Sequence, residues 1–127
     1  MADHPYRIDK RLIVIPVKLS SPTHFFRASF VLDTGASYTI IDYRIAEAIG
    51  YSQADAVAPS RVSSAAGKEE GYRIQLASIE ALGKKFAPFE VGCHALYEQG
   101  VEGLIGMTFL ERFDFCIFPS KKIIRIE

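Results

Sequence analysis

Neither charge sign is in surplus in this sequence: its 127 residues carry 15 Lys and Arg against 15 Asp and Glu. Without a basic excess there is no electrostatic footprint for nucleic acid or an anionic membrane surface, and both partners are disfavoured. Cysteine is scarce. Cys93 and Cys116 are the only two, lie in apolar stretches and form no Cys-x-x-Cys, so free buried thiols are expected rather than a disulfide framework or a metal site. No stretch approaches the roughly 20 apolar residues of a membrane helix. The segment Met1-Ala2-Asp3-His4-Pro5-Tyr6-Arg7 lacks the apolar run of a secretory signal, and the expectation is a soluble, cytoplasmic protein. His4, His24 and His94 show no His-Glu-x-x-His or comparable ligand spacing, so neither a metal nor another cofactor is expected. There is no internal repeat and no low-complexity segment.

What is present is a hydrophobic content of 49% and an aromatic content of 12%, enough for one compact core and little left for a second. Residues 1–127 therefore read as a single domain with its core over about 12–126. Leu12-Ile13-Val14-Ile15-Pro16-Val17 is short and β-branched, and Pro16 suggests an edge strand or a bulge. Turn residues Ser20 to His24 follow. Phe26, Ala28, Phe30 and Leu32 then alternate with Arg27, Ser29 and Val31 at period two, the mark of a strand. After Thr39-Ile40-Ile41, Asp42 can cap a helix with Ile45, Ala46 and Ile49 on one face and Gly50 just past its end.

Between Ala56 and Gly71 the chain turns small and polar, flanked by the β-prone Val57 and Tyr72-Arg73-Ile74-Gln75-Leu76, which fits a mobile hairpin. Further strands are expected at Ile79–Leu82 and Phe89–Cys93. Met107, Leu110 and Phe113 share one side of a short helix, and Phe115–Phe118 with Ile123–Ile126 reads as a final hairpin. The reading is mostly β with two short helices.

Chemistry concentrates at Asp33-Thr34-Gly35-Ala36-Ser37, where a carboxylate, a small hydroxyl and a glycine follow directly from the apolar strand end Phe30-Val31-Leu32. About seventy residues on stands Gly103-Leu104-Ile105-Gly106-Met107-Thr108-Phe109-Leu110. Motif, flanks, distal segment and intervening polar hairpin together resemble retropepsin-like aspartic peptidases of the stand-alone cellular type, over roughly residues 12–126. The resemblance implies a closed β-barrel of the acid-protease fold with one lobe per chain. It implies Asp33 as the catalytic carboxylate, with Thr34 bracing two loops across a dimer axis and Gly35 accepting substrate backbone. Ala36, Ser37 and Gly106 would support that loop, and Ala65, Ala66, Gly67 and Lys68 would form the flap over substrate, Gly67 nearest its turn.

The chemistry can be stated without the family. Peptide hydrolysis with no metal and no covalent intermediate needs a base for water and an acid for the amide. Two carboxylates about 3 Å apart that share a proton supply both. Only one Asp-Thr-Gly occurs here, so a twofold homodimer acting on a polypeptide substrate would complete the pair. The alternative is a catalytically silent dimeric module of the same fold that binds extended peptides by strand addition.

Two positions depart from the viral pattern. Ser37 stands where an acidic residue is usual and Met107 where an Arg is usual, so both halves of the expected ion pair are neutral together. Cys93-His94 invites comparison with a nucleophile pair, but adjacent strand residues point to opposite faces.

Overall fold

Two short strands that the sequence pattern does not announce open the chain. A computed structural model describes residues 1–64, 67–97 and 100–127 and, at 63, 64, 67 and 68, the backbone alone. Strands β1 (Ala2–Pro5) and β2 (Arg7–Asp9) are largely exposed and carry no apolar alternation. β1 exists because it pairs with the far end of the chain, Ala2 opposite Ile126. Lys10 and Arg11, both at positive φ of 50° and 67°, turn β2 back onto β3 (Leu12–Ser20), the handedness a two-residue hairpin connection requires.

In β3 the residues Ile15, Val17 and Leu19 are buried and alternate with the exposed Pro16 and the half-buried Lys18 and Ser20, and Val14 is buried as well. Ser21 Oγ accepts from the backbone N–H of Thr23 (3.3 Å) and His24 (3.0 Å) and closes the expected turn. β4 (Phe25–Leu32) then returns antiparallel, from Ser20 opposite Phe25 to Val14 opposite Val31.

Next come β5 (Ile40–Asp42), helix α1 (Tyr43–Ala48) and a short 3-10 turn at Gln53–Asp55. Asp42 Oδ1 accepts from Arg44 N at 2.8 Å, and Gly50 takes φ 98° beyond the helix end, both as the helix signals predict. The long hairpin is β6 (Ala58–Ser64) and β7 (Gly67–Leu76). After it run β8 (Ser78–Ala81), β9 (Lys84–Phe86), β10 (Phe89–His94), β11 (Gly103–Ile105), helix α2 (Met107–Leu110), β12 (Phe115–Phe118) and β13 (Ile123–Ile126).

Ten strands form one sheet in the order β6-β7-β10-β5-β11-β4-β3-β8-β9, with β2 on β3. Three readings need correction. The path is open, because its ends β6 and β9 do not pair among the described residues, so the closed barrel is not formed. The reason lies in the lengths: β7 meets β10 only over Tyr72–Leu76, leaving its first half paired with β6 alone as a projecting hairpin, and β9 is three residues long. Pro16 does not mark an edge. β2 pairs β3 at Leu12–Val14 and β8 pairs it at Lys18–Ser20, and Pro16 falls in the gap between them, where that side of β3 needs no donor. Cys116 is exposed on β12, whereas Cys93 is buried. Along β12 Cys116 is exposed while its neighbours Phe115 and Ile117 are half-buried, so alternation of side chains across the small sheet β1-β13-β12 puts Cys116 on the uncovered face whatever its apolar sequence context.

The core gathers buried residues of the large sheet, of both helices and of β13 in the small sheet. Phe30 is fully buried and its ring occupies the space a side chain at Gly103 would need. Phe109 on α2 meets Phe86, Phe89 and Phe113 edge to face, with centroids 5.0, 5.9 and 5.6 Å away, a favoured aromatic geometry. Among the described residues no helix is long and apolar enough to cross a membrane.

Candidate active site

β11 runs parallel to β4, with Ile105 opposite Leu32, so the residue after Leu32 meets the end of β11. Asp33 N donates to Ile105 O at 2.9 Å, which places the Asp33 carboxyl at the carboxyl ends of two adjacent strands. The chain then coils on itself: Gly35 N donates to Asp33 Oδ1 at 2.9 Å, and Ala36 N to Asp33 O at 3.2 Å. Thr34, Gly35 and Ser37 are exposed, while Asp33 and Ala36 are half-buried. The Thr34 hydroxyl has no hydrogen-bond partner among the described residues.

The loop docks on the start of α2 through its backbone. Met107 N donates to Ala36 O (2.8 Å) and Thr108 N to Ser37 O (3.2 Å), using helix N–H groups that lack intrahelical partners. Gly106 sits so close beneath that a Cβ there would run into the Tyr38 carbonyl. The neutral Ser37 and Met107 are thus joined across the site by main-chain bonds in their vicinity rather than by an ion pair.

Sequence reasoning missed Thr39 and Thr108. Thr39 is fully buried; its Oγ1 accepts from Gly106 N (3.2 Å) and from Thr108 Oγ1 (3.1 Å), and its N–H donates to Thr108 Oγ1 (3.0 Å). A hydroxyl in an otherwise β-branched apolar run was the available signal. Asp42 also does more than cap α1. Its Oδ2 accepts from Leu96 N (2.7 Å) and Tyr97 N (2.8 Å), anchoring the segment that leads toward β11.

Of the flap residues, Ala65 and Ala66 lie outside the described residues. Gly67 and Lys68 stand in β7 opposite Ser64 and Ser63. At the hairpin base, Ser60 Oγ and His94 Nε2 are 2.8 Å apart and both residues are buried. The ring fits because Gly71 and Gly92 flank it: a Cβ on Gly71 would come within 2.8 Å of the imidazole, and one on Gly92 within 2.8 Å of Ser60 Oγ. Burial lowers the His94 pKa below the usual imidazole value, opposed by the Glu69 charge. Burial also pushes the Cys93 thiol up to about 12, so it stays protonated, and the Cys93-His94 pair carries no nucleophile.

The sheet thus sets a single Asp-Thr-Gly loop against the opening of a short helix. The family model described as "gag-polyprotein putative aspartyl protease" matches residues 26–112, more than half of the chain, and the chain belongs to that retropepsin-like family. Among solved structures it is similar to a retropepsin-like aspartic protease from Rickettsia conorii: 22% identity, 98% of this chain and 99% of that chain covered, TM-score 0.72. At that identity the likeness concerns the fold. No curated protein matches in sequence.

Proposed function

We propose that the chain is an aspartic endopeptidase that works as a homodimer, each copy contributing Asp33. The observation that carries this reading is the Asp33-Thr34-Gly35 loop, exposed at Thr34 and Gly35, held through Ile105 and Met107 and present once per chain. A second copy would bring a second carboxylate to the first, and Thr34, with no partner in its own described chain, would meet its counterpart there.

In the pair, one carboxylate takes a proton from water while the protonated one gives its proton to the amide oxygen. The water oxygen bonds to the carbonyl carbon and a tetrahedral diol forms. The carboxylate that gained the proton then delivers it to the nitrogen, the C–N bond breaks, and the diol proton returns to the pair. Gly35 leaves room for substrate backbone beside the carboxylates, and the β6–β7 hairpin would serve as the flap over the bound peptide. The substrate is an extended polypeptide, and a cytoplasmic setting is part of the same proposal.

Cleavage of a mixed peptide library tests it. Wild type should cut, pepstatin should block the cut, and Asp33→Asn should abolish it with the fold retained. Specific activity should fall on dilution as dimers separate. Residual Asp33→Asn activity within about tenfold of wild type, a loss of only 1.4 kcal/mol, would sink the assignment.

A further inference from the structure

Tyr38 lies in the loop that begins at Asp33, and Arg73 stands on β7, one strand of the projecting hairpin. The Arg73 guanidinium lies 4.1 Å from the Tyr38 ring centroid, well inside cation–π range, although Tyr38 is 44% exposed. Arg73 reaches it because Gly92 lies between: Gly92 is opposite Arg73 on one side of β10 and opposite Ile40 on the other, and a glycine puts no side chain in the way.

The guanidinium is poorly satisfied where it lies. Its Nε is buried with no acceptor among the described residues. Nη1 stays 3.7 Å from Glu90 Oε1, too long for a hydrogen bond. A planar fork with five donors matches a carboxylate bidentately, and here the guanidinium sits against an aromatic ring on the loop that bears Asp33.

The geometry points to Arg73 and Tyr38 as a specificity subsite that takes the carboxylate side chain of an acidic residue, Asp or Glu, in the polypeptide substrate. The inference rests on the peptidase reading above, in which this loop and this hairpin are the two walls of the groove. Arg73 would bind the carboxylate while the exposed Tyr38 ring packs on its methylene stem. Successive side chains of an extended peptide point to opposite sides, so the acidic preference should fall at a single position of the substrate.

The test uses decapeptides of mixed sequence in two arms read by mass spectrometry: cleavage by wild type, and capture by the Asp33→Asn protein, which binds without cutting. At one position Glu should be enriched over Gln about tenfold, as a charge-assisted pair allows. Arg73→Met should bring that ratio to within about twofold, and Glu90→Gln, which removes the competing carboxylate, should raise it. Thermal unfolding of both variants identifies any that fail to fold, and the Glu90→Gln arm stands if Arg73→Met does not. Capture of no peptide, capture without acidic preference, or a preference unchanged in the folded variants overturns the subsite. Acidic capture with no cleavage by wild type supports the subsite and counts against the peptidase reading alone.

Discussion

Thr39 and Thr108 share a hydrogen bond of 3.1 Å between their hydroxyls, and through it the loop bearing Asp33 is fastened to the first turn of α2. Because Thr39 Oγ1 also accepts from Gly106 N, one hydroxyl sets the distance between two segments about seventy residues apart in sequence. Neutral hydroxyl and backbone bonds thereby hold loop and helix together where Ser37 and Met107 offer no ion pair.

Thr39→Val keeps the shape and removes the acceptor, leaving the Gly106 N–H buried without a partner. Stability should drop by about 1–3 kcal/mol in urea unfolding. Peptidase kcat/KM should drop by about tenfold or more, since small displacements of a catalytic loop are costly. Thr39→Ser restores the hydroxyl and should recover most of both. A Thr39→Val protein with unaltered stability would show that the pair contributes nothing.

Asp42 is a carboxylate with three backbone N–H groups on it, from Arg44, Leu96 and Tyr97. Asp42→Ala strips the helix cap and orphans two further donors, and should cost about 3 kcal/mol or more. Asp42→Asn keeps one acceptor oxygen and should cost less. Hydrogen exchange should locate the loss at 95–97 as well as in the first turn of α1; exchange confined to α1 would reduce Asp42 to a cap.

That contrast explains how much was legible beforehand. The cap was readable because Asp42 and Arg44 are neighbours in the chain; the second carboxylate oxygen was not, because its partners lie more than fifty residues away. The Asp33 loop was readable for the same local reason, as were the β3–β4 turn at Ser21 and the final hairpin. β1 was invisible because its residues carry no alternation and are ordered only by β13 at the other end of the chain. Pro16 misled because its meaning depends on where β2 and β8 stop. Exposure of Cys116 and the reach of Arg73 past Gly92 likewise depend on strand order, which no single segment encodes.

The buried Ser60–His94 pair should make acid weaken the folded protein. The His94 pKa is lowered from its ordinary 6.5 by burial, with Glu69 opposing, so the unfolded chain binds this proton more readily than the folded one. Its contribution is complete above about pH 6.5 and is lost as pH falls below that value toward the lowered one. The unfolding midpoint of wild type relative to His94→Gln should therefore fall across that window, however much the substitution costs at neutral pH. A difference constant between pH 7.5 and 5 would mean that His94 does not titrate differently on folding.

Activity should follow pH by a separate route, and the two can be told apart. A carboxylate pair formed by two copies of Asp33 works with one shared proton, so kcat/KM should decline on both sides of an optimum in acid or mildly acidic solution: a second proton removes the base, and loss of the first removes the acid. His94 lies at the hairpin base, hydrogen-bonded to Ser60, and its role there is packing. His94→Gln should consequently leave both limbs of the profile in place while abolishing the acid-dependent change in unfolding midpoint. The profile should be recorded in short assays, within the linear phase, so that acid unfolding does not masquerade as the acid limb. If the acid limb moves with His94→Gln even in such assays, the imidazole takes part in turnover and two carboxylates do not suffice. If activity instead climbs steadily into alkaline solution, no shared proton is needed, and the pairing of Asp33 with Asp33 fails as the basis of the reaction.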